Sequence, residues 1–162
     1  MVLALGKIDA IPSEAEIIGV DLVDFFAGPP CPPRLRLITA SVTAWVPEGA
    51  FDLITSVHGL HYVGDKLGVI AGAAGRLTED GLFVANFDAR SVRREDGAPA
   101  GASLTRALRV AGLDYDARAK RIRSYGRREV RLPYSYVGAD DGSGPNYTGQ
   151  PAVDSHYERC SC

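Results

Sequence analysis

Apolar and polar positions fall into short blocks along the chain. Residues 16–22, EIIGVDL, run apolar and β-branched up to an acid, the pattern of a buried strand that delivers a carboxylate to a sheet edge. The clustered prolines of AGPPCPP remove donors and fix φ, so this segment reads as a rigid loop. In RLRLITASV, Leu35, Leu37 and Thr39 alternate with Arg34, Arg36 and Ile38, which predicts a strand near an edge. FDLITSVHGLHYV predicts a continuous apolar strand through Val57, with two histidines just beyond it. Asp65 then caps a helix whose apolar positions are Leu67, Ile70, Ala71, Ala74 and Leu77. TEDG ends that helix and LFVANFD is the next buried strand.

The polar stretch ARSVRREDGAPAGA reads as a surface loop. Ser103 caps a second helix, with Leu104, Ala107, Leu108 and Ala111 on one face and Gly112 as its stop. Beyond it, YDARAKRIRSY and REVRLPYSYVG are alternating segments separated by Gly126, which suggests an antiparallel hairpin. Residues 138–162 read as an irregular tail, rich in turn formers at ADDGSGPNYTGQP. At the other end, VLAL at 2–5 is either the end of a helix capped by Gly6 or a short strand; four residues do not decide.

The order of elements is strand, strand, strand, helix, strand, helix, then a strand pair. Strands alternating with helices imply a layered α/β domain with a mostly parallel sheet. A length of 162 residues suits a single domain, 1–162, with its regular core at 16–137.

Composition narrows the function classes. Hydrophobic residues make up 46% and charged residues 23%, a globular profile without disorder or a membrane span. A net charge of −2 argues against whole-surface attraction to nucleic acid or anionic lipid. The basic run Arg118 to Arg131 could bind phosphate or RNA, but a charged, solvated sheet edge explains it as well. MVLALGKIDAIP carries no basic leader, and the three cysteines form no disulfide framework. Cys31, Cys160 and Cys162 therefore read as reduced thiols of a cytoplasmic protein. A zinc site on the last two lacks a second C-x-x-C pair, and His58 with His61 lacks a third ligand, so no metal is expected.

Three stretches carry a family resemblance: GVDL at 19–22, FDLITSVHGLHYVGDKL at 51–67 and AAGRLTEDGLFVANFD at 73–88. Together they resemble the class I S-adenosylmethionine-dependent methyltransferases, over roughly three quarters of the chain, and the late hairpin looks like that family's sixth and seventh strands. The resemblance implies a Rossmann-like three-layer α/β/α sandwich, mostly parallel with a C-terminal antiparallel hairpin. The family's glycine-rich motif does not occur, so the domain is expected to be N-terminally truncated.

It also implies site residues. Asp21 and Leu22 would meet the cofactor's ribose, Ser41 and Val42 its adenine, and Ser56 and Val57 its methionine side. His58, His61 and Tyr62 would face a small-molecule methyl acceptor, with S-adenosylmethionine as cofactor. From the residues alone Asp21 could instead be a loop carboxylate capping a turn, and the two histidines could be turn-forming or could act as a general base. An alternative reading is a catalytically inactive protein that works by association, as a homodimer pairing exposed strands. A nicotinamide-dependent reductase fits less well, because no Tyr-x-x-x-Lys pair is present.

Overall fold

The computed structural model describes residues 12, 14–24, 26, 28–142, 144 and 152–160. The readings of VLAL, Gly6 and Cys162, and part of the stretch ADDGSGPNYTGQP, lie outside these residues. The chain divides into two compact units, Met1–Pro47 and Glu48–Cys162.

In the first unit, β1 (Ile17–Asp21) lies parallel to β2 (Leu35–Thr39), in register Ile17 with Leu35 and Asp21 with Thr39. Both are the expected strands. Val20 and Leu35 are buried, and Glu16 pairs with Arg36 at 2.8 Å on the exposed side.

The second unit holds the rest. Strand β3 (Phe51–Ser56) runs parallel to β4 (Leu77–Asn86), and helix α1 (Lys66–Gly75) makes the crossover between them. The helix is capped as its sequence predicts: the Asp65 carboxylate accepts from Gly68 N–H at 2.9 Å. Leu67, Ile70 and Ala74 are its buried apolar residues, the i, i+3, i+7 set of an amphipathic stripe. TEDG, expected to end the helix, lies inside β4. The helix stops at Gly75, and a register shift between Phe51 and Leu53 accommodates the extra residues.

Next come β5 (Val92–Arg94) and helix α2 (Gly101–Val110). Ser103 sits inside α2 rather than capping it, its hydroxyl donating to Ala100 O at 2.6 Å. Strands β6 (Asp114–Asp116) and β7 (Arg121–Tyr125) form an antiparallel hairpin, and β7 pairs antiparallel with β4. The sheet order is β3-β4-β7-β6. The hairpin therefore turns at residues 117–120 and not at Gly126. The second expected arm becomes β8 (Tyr134–Asp140), which pairs with β9 (Asp154–Arg159), a strand within the stretch expected to be irregular. β5 joins β9 in parallel, giving a three-stranded sheet β5-β9-β8.

The expected three-layer α/β/α Rossmann-like sandwich is not what forms. The described residues hold two α-helices, and their strands lie in three separate sheets of mixed direction. The fold is a small mixed α/β structure. A layered parallel sheet needs a helix in each crossover. Here the link from β1 to β2 contains the proline cluster, the link from β2 to β3 contains Pro47 and Gly49, and neither holds a helix among its described residues.

One hydrophobic core organises the second unit. Leu67, Ile70 and Ala74 of α1 pack with Leu77, Phe83 and Ala85 of β4, Leu104 and Leu108 of α2, Ile122 of β7 and Tyr157 of β9. Among the described residues no helix is long and apolar enough to cross a membrane.

Candidate functional site

Because β3 and β4 are parallel, their carboxyl ends open on the same side of the sheet, with Ser56 beside Ala85. Open α/β sheets bind ligands beyond such ends. From β3 the chain passes Ser56, Val57 and His58 into a 3₁₀ turn, Gly59–Tyr62. Leu60 is buried and anchors the turn, leaving His58 and His61 half-buried and Tyr62 exposed. His61 N–H donates to His58 O at 3.1 Å, and the two imidazoles stack at 6.2 Å with 25° between their planes. All five residues expected in this part of a site, Ser56, Val57, His58, His61 and Tyr62, thus follow one another around one rim.

From β4 the chain passes Asp88 into a second 3₁₀ turn, Ala89–Ser91. The Asp88 carboxylate meets Arg90 Nη2 and Lys120 Nζ, each at 2.8 Å. Hydrogen bonding from Arg90, then from Lys120, outweighs partial burial and holds the carboxyl well below the usual carboxylate range. Lys120 ends the turn of the β6–β7 hairpin with φ +48°, and its carbonyl accepts from Phe87 N–H at 2.8 Å. That bond fixes the hairpin tip beside the end of β4.

Burial lowers the pKa of His61, and the nearby charges of His58, Lys66 and Lys120 add to the effect; Asp88 opposes it. His61 is therefore a neutral imidazole at pH 7, able to accept a proton from a bound group.

The first unit gathers the other expected residues at the carboxyl end of its strand pair. Asp21 closes β1, its Oδ1 accepting from Val23 N–H at 3.2 Å, and its carbonyl accepts from Ala40 N–H at 2.8 Å. Leu22 and Val42 are exposed. Ser41 opens a turn in which its carbonyl accepts from Ala44 and Trp45, and its hydroxyl lies 2.8 Å from that of Thr43. Asp21, Leu22, Ser41 and Val42 are thus neighbours within the first unit, and the histidine rim is a feature of the second.

Several prominent polar residues escaped the sequence reading. Asp88 had a signal: LFVANFD runs apolar into an acid just as EIIGVD does. Lys66 had none, because its burial comes from β9. Its Nζ donates to Val63 O at 3.1 Å, Val153 O at 2.7 Å and Ser155 Oγ at 2.8 Å. Among the described residues no group of three or more histidine, cysteine or acidic side chains could hold a metal. Cys31 and Cys160 are exposed thiols.

No protein-family model, curated protein or solved structure matches the chain.

Proposed function

We propose that the chain is an S-adenosylmethionine-dependent methyltransferase-like protein acting on a small-molecule acceptor. One observation carries the reading: the parallel pair β3–β4 brings Ser56, Val57, His58, His61, Tyr62 and Asp88 to one rim, with the antiparallel hairpin β6–β7 on the far side of β4. The resemblance lends support only over β3, α1 and β4, where strand, helix and strand follow in the expected order.

When bound, S-adenosylmethionine supplies an electrophilic methyl group. The residues of the chain orient the acceptor, and orientation alone accounts for much of the rate of a direct transfer. His61, neutral at pH 7, would take the proton released from the acceptor atom. Tyr62 and His58 would frame the acceptor beside it. Calorimetric titration with S-adenosylhomocysteine tests the reading: saturable heat and a raised melting temperature are expected. Neither heat nor a thermal shift at millimolar ligand would defeat it.

A second reading, function through association, is favoured by a different feature. β3 is an edge strand of its sheet, and Leu53 on it is 58% exposed. Such an edge is a template for pairing with another strand. Light scattering that shows a monomer at all accessible concentrations would remove this reading.

A further inference from the structure

The most unusual side chain of the second unit is Lys66, which is 1% exposed. Lysine is almost never fully buried unless its ammonium is matched by acceptors, and here three are in place. Two of them, Val153 O and Ser155 Oγ, belong to or directly precede β9, and the third, Val63 O, directly follows the histidine turn. The peptide at Val153 is also held from its other side, because its N–H donates to His61 O at 2.9 Å. The histidine turn, the first residue of α1 and the start of β9 are therefore tied at one point.

The surroundings reinforce that point. Tyr157 of β9 donates to Asp65 Oδ1 at 2.9 Å and accepts from Leu67 N–H at 2.9 Å. Asp154 faces the lysine from β9 and is itself held by Arg93 of β5 at 2.9 Å. His61 faces it from the turn.

We infer that Lys66 is a positioning residue, which through Val153 and Ser155 clamps the histidine turn to β9 and so sets the placement of His61 at the rim. The inference rests on the proposed function only in taking that rim as the ligand-facing side. Lys66 touches no ligand in this scheme; it acts through the backbone of Val63, Val153 and His61.

Two variants test it. Lys66→Met keeps the length and removes the three donors, and Ser155→Ala removes one acceptor and is the milder change. Amide hydrogen exchange and an NMR titration of His61 are read in both, without cofactor or acceptor. In Lys66→Met the His61 and Val153 amides are expected to exchange about tenfold faster relative to those of β4 and β7, as suits the loss of charge-assisted hydrogen bonds. Its His61 imidazole is expected to titrate higher, since a nearby positive charge has gone. Ser155→Ala is expected to speed the same two amides by a smaller factor. The inference is overturned if a folded variant exchanges these amides at the wild-type rate. It is also overturned if exchange rises equally across β4 and β7, which is what general destabilisation produces. Should Lys66→Met not fold, Ser155→Ala decides by the same two criteria. Neither readout involves methyl transfer, so this inference and the functional reading can fail separately.

Discussion

Lys66 Nζ lies 2.8 Å from Ser155 Oγ, and both side chains are sealed from solvent. This pairing has a consequence for pH. Burial lowers the lysine to about 8 from its ordinary 10.5, with Asp154 opposing. The unfolded chain keeps that proton up to 10.5 and the folded chain only to about 8, so between these values the unfolded state binds more protons. Stability therefore rises with pH in that window, by on the order of 3 kcal/mol from this residue alone. The clamp survives deprotonation: a neutral amine can donate to the two carbonyls and accept from the serine hydroxyl. Tyr157 sets the upper limit, because burial raises its pKa above 10.0 and its contribution is lost as pH climbs past that value. Chemical denaturation across pH 7–10.5 is expected to show stability rising to a maximum near pH 10. In Lys66→Met the rise disappears.

The His61 imidazole is expected to titrate below its ordinary 6.5. Folding then disfavours the proton, and stability falls as pH drops through 6.5. Among the described residues, Asp88 is the neighbour that favours the charged form. Asp88→Asn is therefore expected to lower the His61 titration further, opposite in direction to Lys66→Met. NMR of the imidazole protons in the two variants checks both signs, and a shift in the same direction in each would contradict the described electrostatics.

What was legible in the sequence was legible for a physical reason. Leu67, Ile70 and Ala74 recur at helical spacing behind the Asp65 cap, so α1 could be read directly. The apolar run of β3 placed Ser56 at a strand end with the histidines just beyond it, while the choice of Ser56 to Tyr62 as site residues came from the family resemblance. Strand β9 could not be read in the same way. Its buried residues are Asp154, Ser155 and Tyr157, matched to Arg93, Lys66 and Asp65 by hydrogen bonds. A strand buried through polar partners shows no alternation of apolar residues. The hairpin was misplaced because its turn, Ala117 to Lys120, lacks the usual glycine or asparagine: Lys120 itself takes the left-handed conformation. The layered architecture failed at loops that the prolines had already marked.

Gly126 does have a strict requirement, though not as a hairpin turn. Its φ is +66°, and a Cβ there would lie 2.5 Å from the backbone carbonyl oxygen of Glu79. Strain and a backbone clash combine, so Gly126→Ala is expected to cost about 2–4 kcal/mol. Gly97 has a similar φ of +78° with nothing within 4 Å of a Cβ. Gly97→Ala is expected to cost only about 1 kcal/mol. Denaturant midpoints for the two variants separate conformational strain from steric conflict, and equal losses would show that the clash is relieved by movement of the β4 backbone.

Tyr157 completes the start of α1 from a strand about ninety residues downstream. Helix N-termini leave their first N–H groups without intrahelical partners. Asp65 receives the N–H of Gly68, while the Tyr157 hydroxyl receives that of Leu67 and donates back to Asp65. Tyr157→Phe keeps the ring in the core and removes only this hydroxyl. It leaves the Leu67 N–H buried without an acceptor, a loss of about 1–3 kcal/mol. Exchange at Leu67 is expected to quicken more than exchange at Ile70, which lies further along the helix. If both amides kept wild-type protection and the melting temperature did not move, the hydroxyl would have no part in capping the helix.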